Sequence, residues 1–144
     1  MSQHHPILEA FLKAGGGPAD MQDPLARALK GRVLEMGEGR AVLSFEPDLG
    51  FTQGAGVIQG GVVGALLDYA IAIAAFSRLA ADRTFGTVSL TAHFLKPAPP
   101  GLYRAVGTLD RMGSSMIFGS GVLYRDKAET PTATATAVMA TSRT

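Results

Sequence analysis

The stretch VIQGGVVGALLDYAIAIAAF, Val57 to Phe76, decides the fold. Val62, Leu66, Tyr69, Ile73 and Phe76 fall at helical spacings, and Val63, Leu67, Ala70, Ile71 and Ala74 fill the positions between them. The spacing predicts one long helix, continuing through the apolar run to about Ala81. A helix apolar on nearly every face must be wrapped by other structure. Lipid is the wrong wrapping: the segment is about as long as a bilayer span, but Asp68 sits in its middle, at roughly 2.5 to 3.5 kcal/mol on insertion scales, with no second span to pair it. A membrane is therefore not expected as a partner.

The flanks supply the wrapping. Upstream, RVLEMGEGRAVLSFEP changes the period to two, with Val33, Ala41, Leu43 and Phe45 set around a Gly37-Glu38-Gly39 turn, which predicts a β-hairpin. Downstream, Thr84 to Lys96, Leu102 to Arg111, Met116 to Arg125 and Thr130 to Thr141 read as four strands, with turns at Pro97 to Gly101, Gly113-Ser114 and Asp126 to Glu129. Short turns favour antiparallel pairing. The expected class is α+β, a curved antiparallel sheet folded round one central helix. Ahead of it, Pro6 to Lys13 and Pro24 to Lys30 predict two short helices around Gly15-Gly16-Gly17-Pro18, with Asp23 before Pro24 as an N-cap and first-turn pair. Residues 1–30 thus form a helical extension and 31–144 the sheet-and-helix domain.

The 144 residues allow one ordinary domain, and 47% hydrophobic against 17% charged residues supply a core. Thirteen Lys and Arg against twelve Asp and Glu, with no dense basic run, make nucleic acid an unsuited partner. The absence of Cys excludes disulfides, a thiolate nucleophile and Cys-ligated metal. No HExxH or paired acidic loop suggests any other metal site. The start, MSQHHPILEAFLKAGGG, has no secretory pattern, so the cytoplasm is the expected compartment.

Chemistry concentrates in two places. Asp68 is the only charged side chain between Asp48 and Arg78, and a carboxylate expected to be buried needs a reason: a structural hydrogen bond to a neighbouring loop, or service as general base or nucleophile. The loop Thr52 to Gly61, TQGAGVIQGG, leads into the helix. Its glycines either allow tight packing or let a ligand approach first-turn N–H groups, where the helix dipole would stabilise an oxyanion. Gly54-Ala55-Gly56-Val57-Ile58-Gln59 lacks the third glycine of a dinucleotide fingerprint. His4 and His5 lie near the terminus. His93 falls on a strand whose alternate residues Val88, Leu90, Ala92 and Phe94 make the apolar face, so it is expected to be exposed or at an interface.

GVIQGGVVGALLDYAIAIAAF, followed by GTVSLTAHFLKPAPPG and RMGSS, resembles the hotdog-fold acyl-CoA thioesterases of the PaaI type, over about Gly31 to Thr141. In that family an Asn is followed three residues later by Gly, then by His-Gly-Gly, then seven residues on by Asp or Glu. Here Gln53 stands at the Asn, Gly56 at the loop Gly, Gln59 at the His, Gly60 and Gly61 at the pair and Asp68 at the acid, with Thr87 where relatives carry Ser or Thr near that acid. The resemblance implies hydrolysis of an acyl-CoA thioester, with Asp68, Gln53, Gly60, Gly61 and Thr87 catalytic and no separate cofactor, coenzyme A being part of the substrate. Gln59, Gly56, Lys96, Arg111, Gly113 and Ser114 would bind the substrate; Arg104 or backbone N–H groups are further candidates for the phosphates. Gln59 offers an amide in place of imidazole, Gln53 is one methylene longer than Asn, and Ser114 stands where relatives often carry Arg or Lys. The loss of His argues against the dehydratase branch. A non-catalytic acyl-CoA-binding protein of the same fold is the competing reading. Gly60 and Asp68 are eight residues apart on one helix, hence about 12 Å along its axis and roughly 80° around it. One carbonyl would not touch both in one chain. A homodimer or dimer of dimers with sites shared across a two-fold axis is therefore expected.

Overall fold

In the computed structural model, which describes residues 6–144, the apolar stretch forms helix α3, Gly60–Phe76, and everything else is arranged to cover it. His4 and His5 lie outside the described residues. Helices α1 (Pro6–Lys13) and α2 (Pro24–Ala28) flank a two-residue strand β1 (Ala19–Asp20). Strands β2 (Arg32–Gly37) and β3 (Arg40–Phe45) form the expected hairpin, turning through Glu38 and Gly39 with positive φ. After α3 come β4 (Arg83–Phe94), β5 (Tyr103–Met112), β6 (Met116–Arg125) and β7 (Ala133–Arg143). All pairings are antiparallel, in the order β1-β2-β3-β5-β6-β7-β4. This is the hotdog arrangement, with the helix as filling.

The helix seats deeply because the sheet is notched beneath it. A Cβ on Gly107 of β5 would stand 2.1 Å from the Ala70 carbonyl oxygen, and one on Gly119 of β6 would stand 2.6 Å from Ile71 Cγ2. Leu66, Leu67, Ala70, Ile71 and Ala74 are thereby sealed against Leu43, Phe45, Ala105, Ile117, Leu123 and Met139. The residues of β5, β6 and β7 alternate between this core and the outer face, as the period of two requires.

Three local expectations are corrected. The helix stops at Phe76 rather than near Ala81. Ser77 Oγ donates to the Ala74 carbonyl (2.7 Å) and accepts from Gly39 N–H (2.7 Å), so the chain turns away onto the hairpin. In β4 the register against β7 shifts between Thr87 and Ser89. This bulge takes Val88 out of the alternation: Phe85 and Thr87 pair with Thr141 and Met139, and Leu90, Ala92 and Phe94 with Ala137, Ala135 and Ala133. The inner face of β4 therefore carries Phe85, Thr87, Leu90, Ala92 and Phe94. His93 is exposed on the opposite side, as expected. Third, α2 ends at Ala28, where Lys30 with φ +56° and the Gly31 N–H to Ala26 carbonyl bond (2.7 Å) close it.

Among the described residues, β4 lies at one end of the strand order and pairs only with β7. Its remaining edge is open, and Leu90 and Phe94 remain 36% and 56% exposed.

Candidate active site

The loop before α3 is stitched from both sides. Asp48 accepts from Gly50 N–H (2.8 Å) to cap a single 3-10 turn, Leu49–Phe51. Gln53 N–H then donates to Val57 (2.8 Å), Gly56 turns with φ +83°, Ile58 N–H reaches Ala98 (2.7 Å) and Gln59 N–H reaches Phe51 (2.9 Å). These bonds fix Gln59 as the N-cap residue, with φ −57° and ψ 136°. Its carbonyl accepts from Val62 and Val63, but its side chain makes no capping bond. Among the described residues, no acceptor takes the N–H of Gly60 or Gly61. A helix start normally satisfies such donors with a side chain or leaves them to solvent or ligand.

Two turns further on, Thr87 Oγ1 donates to Asp68 Oδ1 (2.9 Å). The β4 bulge aims this hydroxyl at the helix, and no described residue donates to the other carboxylate oxygen. Asp68 is half-buried, not sealed in the core as the apolarity of its helix suggested. Gly61, Gly64, Ala65 and Asp68 recur at helical spacing and leave an open groove of about 660 Å³ between α3 and the inner face of β4, walled by Leu90, Ala92 and Phe94. Gln59 and Gly60 lie at one end of this groove and Asp68 at the other. A second groove, about 390 Å³, shares Gly60 and Phe94 and runs between Val57-Ile58 and Leu95 to Ala98.

The other candidates are dispersed. Gln53 is exposed, and its Oε1 accepts from Ala55 N–H within the loop. Gly56 shapes the same turn. Lys96 lines the second groove and donates to Thr130 Oγ1. Gly113 and Ser114 form the β5-β6 turn and line a separate pocket of about 210 Å³ with Arg78 and Arg83. Arg111 pairs with Phe118 on the outer face. Arg104 is also on that face, stacked on Tyr124 with its guanidinium 4.8 Å from the ring centre. Among the described residues, no group of three His, Cys, Asp or Glu could hold a metal ion, and no helix is long and apolar enough to cross a membrane.

One contact next to the site had no signal in the sequence. Tyr69, the neighbour of Asp68, donates its hydroxyl to Asp23 Oδ2, the N-cap of α2, which ties the N-terminal extension to the helix. Burial, then the hydrogen bond and charge of Asp23, push the Tyr69 phenol well above the ordinary tyrosine range.

The family model described as "Thioesterase superfamily" matches residues 55–132, the segment that runs from within the loop through α3, β4, β5 and β6. Among solved structures, a phenylacetic acid degradation-related protein from Ralstonia eutropha JMP134 is 29% identical, covering 83% of this chain and 92% of its own, with a TM-score of 0.77. A thioesterase family protein from Silicibacter pomeroyi shares 24% identity over 96% of both chains, with a TM-score of 0.80. The E. coli PaaI protein of the phenylacetic acid degradation operon shares 22% over 85% of this chain and 86% of its own, with a TM-score of 0.75. Among curated proteins nothing matches.

Proposed function

From the premise that the chain belongs to the thioesterase superfamily, we propose that it hydrolyses coenzyme A thioesters to the free acid and coenzyme A at a site shared by two subunits. The observation that carries this reading is the groove that runs from two N–H donors with no acceptor among the described residues, at Gly60 and Gly61, to a carboxylate held by Thr87. In the reaction, the thioester carbonyl oxygen sits on the Gly60 and Gly61 N–H groups at the positive end of α3. Asp68 takes the proton of a water as its oxygen attacks the carbonyl carbon; direct attack by the carboxylate, forming an anhydride that water then opens, uses the same geometry. The tetrahedral oxyanion stays on the N–H donors, which act most strongly where charge develops. Its collapse breaks the C–S bond. The departing thiol has a reference pKa of about 8.5, so it leaves with little acid assistance and collects its proton from solvent or from Asp68.

Separation along the helix requires two chains. With about 12 Å between Gly60 and Asp68 along the axis of α3, one carbonyl cannot touch both in one subunit. The open edge of β4 and the exposed Leu90 and Phe94 provide the surface for a second copy, and a two-fold axis brings Gly60 of one subunit to Asp68 of the other. The cytoplasm and a further pairing of dimers complete the proposal.

A non-catalytic acyl-CoA-binding role is favoured by one observation: Gln53 spends its carbonyl oxygen on its own loop. Thiol trapping over a panel of acyl-CoAs decides between the two. Turnover by the wild type that is lost in Asp68→Asn, at an unchanged melting temperature, supports hydrolysis. Binding without turnover in the wild type overturns it.

A further inference from the structure

Phe94 ends β4 and holds its ring tip over the start of α3: Cζ stands 3.4 Å, and Cε1 and Cε2 3.7 Å, from a Cβ placed on Gly60. Four residues earlier on the same inner face, Leu90 reaches the helix one turn further on, its Cδ2 lying 3.8 Å from a Cβ placed on Gly64. Ala92 is the residue between them on that face. On the helix, the groove residue between the two contacts is Gly61, where an added Cβ would meet nothing within 4 Å. A bay therefore opens between Phe94 and Leu90, backed by a single methyl and floored by bare backbone. Gly60 and Gly64 are separated by roughly 6 Å along the helix axis, which sets the length of the bay there. No charged side chain lines it; the carboxylate of Asp68 comes only beyond Leu90.

The bay begins at the Gly60 and Gly61 N–H groups, so the acyl carbons next to a carbonyl held there enter it first. Past Leu90 the groove continues to Asp68 of the same chain. In the two-subunit reading that carboxylate serves the other site of the dimer. Gly64 lies midway between Gly60 and Asp68 on α3, so an axis that brings Gly60 of one subunit to Asp68 of the other passes at its level. Leu90 closes over Gly64 at this level and stands between the two sites. An acyl chain longer than the bay would have to push Leu90 aside and enter the space of the second site.

We infer that Leu90, closing over Gly64, sets the length of the acyl group this site accepts: a short, uncharged acyl group fills the bay, and a long chain is stopped at the level of the axis. The inference rests on the two-subunit hydrolase reading above and names the substrate class for it. Leu90 is thus a specificity-determining residue, which meets the far end of the acyl group while Gly60, Gly61 and Asp68 act on the carbonyl. Gly64 shares the role. A methyl added there would meet Leu90 at ordinary van der Waals distance, so it would narrow the passage further without a clash.

The test compares the full-length wild type with Leu90→Ala and Gly64→Ala on butyryl-, hexanoyl- and decanoyl-CoA. Unrestricted apolar binding favours the longer chain, so the sign of the preference is diagnostic. The wild type should favour butyryl-CoA over decanoyl-CoA in kcat/KM by about tenfold or more. In Leu90→Ala the decanoyl-to-butyryl ratio should rise about tenfold or more, the scale of burying about two further methylenes. In Gly64→Ala the hexanoyl-to-butyryl ratio should fall severalfold below the wild type. A merely structural role would lower all three rates by one factor. A wild type that prefers decanoyl-CoA, an unmoved ratio in Leu90→Ala, or a shift toward longer chains in Gly64→Ala would each overturn the inference. If Leu90→Ala does not fold, Gly64→Ala decides alone, and a ratio no lower than the wild type overturns it. Calorimetry with S-butyl- and S-decyl-coenzyme A, thioethers that cannot be hydrolysed, separates the two readings. A wild type that turns over none of the thioesters, yet binds the butyl thioether more tightly and loses that preference in Leu90→Ala, would overturn the hydrolase reading and leave the length limit standing. Turnover with both thioethers bound alike by the wild type and Leu90→Ala would do the reverse. Neither turnover nor binding would overturn both.

Discussion

Replacing Gly107 with Ala probes the seat of the central helix. The added Cβ would stand 2.1 Å from the carbonyl oxygen and 2.3 Å from the carbonyl carbon of Ala70. Both are helix backbone, so no rotamer change relieves the clash. To regain even 3.0 Å, α3 and β5 must part by about 1 Å, which loosens the packing of Ala70 and Ile71 against the sheet. Overpacking of a dense core costs about 1 to 3 kcal/mol, and a backbone-on-backbone clash belongs at the upper end, about 3 kcal/mol. Gly119→Ala meets the Ile71 Cγ2 methyl at 2.6 Å and the Thr108 carbonyl oxygen at 3.2 Å; a buried β-branched side chain yields less readily than a flexible tip but more readily than helix backbone, so the cost should be about 2 kcal/mol. Gly121→Ala meets only side-chain atoms at 3.3 Å and should stay within about 1 kcal/mol of the wild type. Urea unfolding at one fixed protein concentration gives the three values, so that any contribution from subunit association is held constant. A Gly107→Ala protein within 1 kcal/mol of the wild type, or a different order among the three, would refute this account of the helix seat.

Three more outcomes are expected. Gly60→Pro removes one N–H at the first helical position, where Pro is accommodated and where Gln59, with ψ 136°, already has the backbone that a residue before Pro requires; kcat should fall about a hundredfold with the melting temperature nearly unchanged, and retained turnover would exclude this N–H as an oxyanion donor. Thr87→Val keeps the shape of the side chain and removes its hydrogen bond to Asp68; kcat should drop about tenfold by thiol trapping, and an unaffected rate would show that Thr87 does not orient the acid. Tyr69 and Tyr103 both hold their protons more tightly when folded, chiefly through burial, with the Asp23 hydrogen bond adding to the effect at Tyr69. Above pH 10 the unfolded chain releases protons that the folded chain keeps, so stability is full below that pH and falls as pH rises past it; the urea midpoint should decline from pH 9 to 11 more steeply in the wild type than in Tyr69→Phe, and equal slopes would contradict the assignment.

The helix and the strands after it were legible because burial imposes periods, and the periods survive in the sequence. The errors occurred where a single long-range contact overrides the pattern. Val88 was assigned to the wrong face because a one-residue bulge leaves alternation intact on each side of it. The run to Ala81 remains apolar, but Ser77 finds Gly39 across the fold and ends the helix early. β1, with two residues, is too short to alternate. At the site, Asp68 stood out by its charge, and Thr87 entered only through the family resemblance; the 2.9 Å hydrogen bond then joined them. The exposure of Asp68 was not legible, since Gly61, Gly64 and Ala65 read equally as packing residues or as the floor of a groove. Tyr69 and Asp23 are 46 residues apart and meet only because α2 folds back onto α3.

The sharing of one site between two subunits is tested most directly by complementation. Asp68→Asn and Gly60→Pro chains, each nearly inactive alone, are unfolded together, refolded as a mixture and assayed by thiol trapping with an acyl-CoA. If Gly60 of one subunit works with Asp68 of the other, a mixed dimer has one doubly damaged site and one intact site. Random pairing makes about half the dimers mixed, so the mixture should recover about a quarter of wild-type activity. Activity no greater than the average of the two separate mutants would place Gly60 and Asp68 of each site in the same chain and contradict the shared site.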